Sequence, residues 1–130
     1  MMPPMKPARR KPTDAELAIL RVLWARGPST VRQVAEEMGR DTGYTTVLKL
    51  LQIMTEKRLV HRDESSRTHV YEAAYTQDQT ERQLVSDLLE RVFDGSAAKL
   101  VLQALNTTRA TPEELDEIRK LIASKTGGSR

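Results

Sequence analysis

Cysteine occurs nowhere in this chain of 130 residues, which removes disulfides, thiolate nucleophiles and cysteine metal sites together. Histidine is nearly as scarce. His61 and His69 stand alone, and a metal site would have to fill its shell with carboxylates. Both are read as surface or half-buried structural residues near the two ends of a hairpin, so no metal and no cofactor is expected. Aromatic residues make up only 4 % of the chain. Packing therefore rests on Leu, Val, Ile, Met and Ala, the residues of helices. No apolar run approaches the roughly 20 residues of a membrane span. The opening MMPPMKPARRKP carries charge and proline but no apolar segment of signal-peptide type. A soluble, cytoplasmic chain without membrane insertion is expected. There is no P-loop, no Gly-rich dinucleotide turn and no HExxH, and neither histidine has a serine or carboxylate constellation around it. An enzyme is not expected.

What is present suffices for one domain or two very small ones, at 38 % hydrophobic residues. The net charge of +3 is unevenly spread: residues 1–75 hold 13 Lys+Arg against 9 Asp+Glu, and residues 76–130 hold 8 against 9. Lys6, Arg9, Arg10 and Lys11 lie in a proline-rich tail, residues 1–12, which is either a solvated tail or a basic arm on a polyanion.

From residue 13 the pattern is helical and sharply punctuated. Thr13 to Glu16 form a T-x-x-E capping box, followed by an apolar face of Leu17, Leu20, Val22, Leu23 and Trp24 that stops at Gly27 and Pro28. Thr30 with Gln33 opens a short second helix with Val31, Val34, Ala35 and Met38 inward, ended by Gly39. A third helix spans about Gly43 to Arg58. Two β-leaning segments, 59–63 and 68–73, then flank the polar tip DESSR as a hairpin. Three helices followed by a hairpin make a winged helix-turn-helix domain over residues 13–75.

The remainder, residues 76–125, reads as three helices, with a frayed tail TGGSR over 126–130. Thr76 with Gln79, Ser96, and Thr111 with Pro112 and Glu114 mark the three starts. The stripes of Leu84, Leu88 and Val92, of Leu100, Val101 and Leu105, and of Leu115, Ile118, Leu121 and Ile122 do not enclose a good core by themselves. A homodimer built on this helical region is expected, the other reading being a monomeric three-helix subdomain. The fold class is thus mainly α, a winged helix-turn-helix domain followed by a three-helix dimerisation region.

The third helix begins with Tyr44, Thr45 and Thr46, none of them a strong helix former. At 100° per residue, Val47, Leu50, Leu51 and Met54 share one side. Thr45, Lys49, Gln52 and Glu56 line the other, flanked by Thr46 and Ile53. A small, hydroxylated and positive first turn suits the major groove of double-stranded DNA. Thr and Gln hydrogen-bond base edges, Lys reaches guanine or phosphate, and the helix N-terminus adds free N–H groups. Thr45 or Thr46 capping the helix is the other reading. Tyr44 either contacts a phosphate or packs against the turn. Arg67 near the wing tip can reach phosphate or the minor groove, while Arg62 is as well explained as a strand-end charge. A winged-helix protein-interaction module without sequence-specific DNA binding is the alternative function, but such a face usually carries an apolar anchor, and only Ile53 hints at one.

The segments TDAELAILRVLWARGPSTVRQVAEEM, GYTTVLKLLQIMTEKRLVHR and THVYEAAYT, followed by a helical tail, resemble the BlaI/MecI family of penicillinase repressors over residues 13–123. The resemblance implies a dimeric repressor whose winged helix reads a palindromic operator, with contacts at Thr45, Thr46 and Lys49, and whose C-terminal helices hold the dimer. It also implies an indirect regulator, usually a membrane sensor with a metalloprotease domain, whose signal leads to cleavage in the dimerisation region. The target is often a β-lactamase gene or its regulators. Two departures stand out. Well-known members are cut between Asn and Phe in the helix matching LVLQALN, where this chain has Gln103 and Ala104. Copper-sensing relatives carry a C-terminal cysteine cluster, which this chain lacks.

Overall fold

The structure, a computed structural model, describes residues 11–128. Lys6, Arg9 and Arg10 of the basic tail lie outside the described residues, as do Ser129 and Arg130. Helix α1 (Asp14–Arg26) opens on a reciprocal capping box. The Thr13 hydroxyl accepts from the Glu16 N–H at 3.2 Å, and the Glu16 carboxylate accepts from the Thr13 N–H at 2.9 Å. Gly27, at φ 89°, ends the helix in a backbone region closed to most side chains, and its N–H returns to the Leu23 carbonyl at 2.8 Å.

Strand β1 (Ser29–Thr30) follows at once. With only two residues, it has no alternation for a sequence pattern to show. Thr30 has a second task, capping α2 (Val31–Met38) through a box with Gln33. Helix α3 (Tyr44–Glu56) ends in a left-handed turn at Arg58, φ 65°, where the Leu59 N–H reaches back to the Met54 carbonyl at 2.9 Å. That turn redirects the chain into β2 (Val60–Asp63), which pairs antiparallel with β3 (Val70–Ala73) in the register Val60↔Ala73 to Asp63↔Val70. Strand β1 joins the other edge of β3, with Ser29 opposite Tyr71, so the sheet order is β1-β3-β2.

One hydrophobic core holds these elements. Ile19, Leu20 and Leu23 from α1 meet Val31 and Val34 from α2, Val47, Leu51 and Met54 from α3, and Leu59, Val60 and Tyr71 from the wing. Each side chain of this size contributes about 1.5–3 kcal/mol when fully buried. Ile19, absent from the apolar face read from sequence, is among the most deeply buried of them, while Leu17, Val22 and Trp24 are only partly buried. The inward face of α1 runs 16, 19, 20 and 23, spaced 3, 1 and 3, which leaves 17, 22 and 24 on its flanks. Leu50 likewise sits half-buried at the margin of the α3 stripe. The Trp24 indole N–H donates to the Tyr75 carbonyl at 2.9 Å, tying α1 to the segment that leads out of the sheet.

The later helices are α4 (Gln77–Val92), α5 (Ala97–Thr107) and α6 (Pro112–Gly128). Their starts are capped by the Thr76–Gln79 box, by the Ser96 hydroxyl and by the Thr111–Glu114 box. Helix α6 continues through Thr126 to Gly128, past residue 125 where a frayed tail is read from sequence. The chain divides into two units at Ser86 and Asp87, inside α4. No helix among the described residues is long and apolar enough to cross a membrane.

Candidate nucleic-acid interface

Helix α3 offers its first turn without a side-chain cap. Its N-cap is Gly43, in extended conformation at φ −80° and ψ 166°, with no side-chain hydrogen bond to the turn. Neither Thr45 nor Thr46 therefore caps the helix. Both lie inside the first turn, exposed, next to backbone N–H groups that no side chain satisfies. Val47, Leu51 and Met54 anchor the opposite side in the core. Tyr44, Thr45, Thr46, Lys49 and Gln52 consequently face solvent together, with Ile53 beside them and Glu56 at the far end. Among the described residues, no hydrogen bond or ion pair occupies the side chains of Thr45, Thr46, Lys49 or Gln52.

The wing carries the second group. Its tip is shaped by Asp63, whose carboxylate accepts from the Ser65 N–H at 2.9 Å. That amide, and then the Ser65 hydroxyl, hold the Asp63 carboxyl below the ordinary carboxylate range. Arg62, exposed on β2, pairs with Glu64 at 2.6 Å, and the neighbouring Tyr71 hydroxyl together with that carboxylate holds its pKa above the ordinary arginine value. Arg67, on the loop between β2 and β3, is exposed and has no such partner among the described residues. The structure brings Arg67 and Tyr44 to the lining of one cleft of about 530 Å³ between α2, α3 and the wing. His61 lies opposite Glu72 on the β2–β3 ladder, and His69 is exposed just before β3. Among the described residues no cluster of His, Asp or Glu could hold a metal ion.

Residues 12–124 match the penicillinase repressor family. The chain belongs to that family. It is 33 % identical over 118 residues to the transcriptional regulator BlaI of Mycobacterium tuberculosis, a match that takes in 88 % of this chain and 85 % of that protein. Identity is 20 % over 112 residues with the penicillinase repressor of Bacillus licheniformis, covering 85 % of this chain and 88 % of the other. It is 19 % over 115 residues with the methicillin resistance regulatory protein MecI of Mammaliicoccus sciuri, covering 87 % and 94 %. These relatives are named as a transcriptional regulator, a penicillinase repressor and a methicillin resistance regulatory protein.

In this penicillinase repressor family member the sequence pattern did not single out Arg32. It is the second residue of α2, exposed, and it lines the same cleft as Tyr44 and Arg67. The available signal was its outward position one residue after the buried Val31, but nothing local tells that α2, α3 and the wing converge there.

The helical region presents a different surface. None of the described residues from 76 to 126 is buried. Val92, Leu121 and Ile122 are 57 %, 58 % and 57 % exposed, and Val101 and Leu105 are exposed as well. Leu84, Leu88, Leu100, Leu115 and Ile118 are half-buried. Gln103 and Ala104 lie on α5, both exposed.

Proposed function

We infer that this chain is a sequence-specific DNA-binding repressor that acts as a homodimer on a palindromic operator. The observation that carries the inference is the uncapped, exposed first turn of α3, where Thr45, Thr46 and Lys49 have no hydrogen-bond or ion-pair partner among the described residues, above a helix pinned in the core by Val47, Leu51 and Met54. Such a turn suits close approach to base edges and phosphates in a major groove. Gln52 extends the same face. Tyr44 and Arg67 flank it toward the backbone.

The winged-helix domain over residues 13–75 is the reading unit in this account, and residues 76–125 are the pairing unit. Large aliphatic side chains that stay exposed along α4, α5 and α6 favour a second copy of this chain as their cover. Two reading helices held roughly 34 Å apart, one DNA turn, bind two half-sites together far better than one at a time. Family membership further supports a cytoplasmic role at β-lactamase or related resistance genes, released by a sensor-protease pathway. Cutting within α5 would dissolve the pair and with it the shared binding, although Gln103–Ala104 differs from the bond cut in the family's well-known members.

The test is a mobility shift of the full chain with the DNA upstream of its own gene, titrated with salt. Binding should weaken with a slope of about −0.9 in log–log form for each phosphate neutralised. An absent or salt-insensitive shift contradicts the inference.

A further inference from the structure

Arg32 belongs to none of the contacts proposed above, yet it shares a cleft with two of them. Arg32 from α2, Tyr44 from α3, and Arg67 and His69 from the wing line this space of about 530 Å³, with the buried Tyr71 behind them. Among the described residues, no carboxylate lines it. Arg26, Arg62, Arg82 and Arg91 each pair with an Asp or Glu. Like several other arginines, Arg32 and Arg67 have no such pair among the described residues, but these two reach one concavity from different elements. Two unpaired guanidiniums around one space repel each other unless an anion lies between them. A phosphodiester fits that role, because a guanidinium fork matches its planar pairs of oxygens and a phenol adds a neutral donor.

We propose that this cleft seats one phosphate of the DNA backbone in each half-site, held by Arg32 and Arg67 with the Tyr44 hydroxyl as a third donor. The proposal rests on the DNA-binding reading of α3 and adds a positioning residue to it. A phosphate contact carries no base information but fixes register. Tyr44 belongs both to the cleft and to the first residue of α3. A phosphate seated there sets how Thr45, Thr46 and Lys49 enter the groove. It also gives Tyr44 the phosphate role over the packing role, in keeping with its 50 % exposure.

The experiment uses the full chain and two duplexes, one from upstream of its own gene and one unrelated, over a range of KCl. Arg32→Ala should lower the salt slope, by at most about 0.9 for each seated phosphate and so by at most about 1.8 on an operator with two half-sites, since Arg67 still faces the same phosphate. It should weaken binding to both duplexes by a similar factor, about tenfold at 0.1 M salt. Arg32→Lys should keep most of the slope and lose part of the affinity. Arg21→Ala, exposed on α1 away from the cleft, should change neither. Far-UV circular dichroism of each variant confirms that the fold is retained, as the exposure of Arg32 leads one to expect. Wild-type affinity and slope in Arg32→Ala overturn the phosphate seat and leave the DNA-binding reading standing. A loss confined to the upstream duplex overturns it too, since Arg32 would then read bases. A wild-type chain that shifts neither duplex overturns both.

Discussion

The Nζ of Lys57, which closes α3, lies 2.7 Å from the Oε1 of Glu16 in the first turn of α1. Glu16 is 2 % exposed, and the same oxygen accepts from the Thr13 N–H. Lys57 also donates to the Lys11 carbonyl at 3.3 Å. One buried carboxylate thus completes the cap of α1 and clamps the far end of α3. Lys57→Ala should lower the unfolding free energy by about 2–3 kcal/mol, somewhat under the range for a fully enclosed pair because Lys57 keeps some solvent access. The urea midpoint should fall at constant m. A change under about 0.5 kcal/mol, the size of an ordinary surface substitution, contradicts the clamp.

Because Gly43 rather than a threonine is the N-cap of α3, the hydroxyls of Thr45 and Thr46 are free for a partner outside the fold. Thr46→Ala should leave stability within about 0.5 kcal/mol while weakening binding to the upstream duplex. A loss of 1 kcal/mol or more, about what a missing N-cap costs, would return Thr46 to a structural role.

Leu121 and Ile122 face solvent on α6 although both are large and aliphatic. The wild-type chain should sediment as a two-protomer species at micromolar concentration, with a thermal midpoint that rises with concentration. The double substitution Leu121→Asp, Ile122→Asp should yield a monomer with the winged-helix domain still folded. A wild-type chain that sediments as a monomer removes the pairing unit from the account.

The wing tip should respond to acid. Asp63 is held below its ordinary value of 3.8 by the Ser65 amide and hydroxyl, so its ionised form favours the folded turn. Its contribution is fully present above that value and is lost as pH falls through the depressed one. An NMR titration of the Asp63 carboxyl carbon should show a midpoint under 3.8, and Ser65→Ala should move it part of the way back. A midpoint at or above the ordinary value would mean that the turn does not bond this carboxylate.

Local signals carried most of the fold into the sequence. The boxes at Thr13, Thr30, Thr76 and Thr111 are each a four-residue pattern, and all four form with both hydrogen bonds in place. The start of α3 and both hairpin strands fall within two residues of their sequence positions. What escaped was non-local. Strand β1 is too short to show a period and exists only because β3 pairs with it, about 40 residues later. Glu16 reads as a capping residue, and nothing near it announces Lys57, 41 residues away. The outward face of α3 follows from helical spacing alone, but the cleft containing Arg32 needs three elements brought together in space.

The central claim is that the outward face of α3 distinguishes one DNA sequence from another. Its most direct measurement is the ratio of affinities for the upstream duplex and an unrelated duplex at one salt concentration, compared between the wild-type chain and Lys49→Ala. The wild-type chain should show a clear preference for the upstream duplex, and substitution should lower that ratio about tenfold, the effect of losing one good base contact. Equal wild-type affinities, or a ratio that Lys49→Ala leaves unchanged, would contradict it.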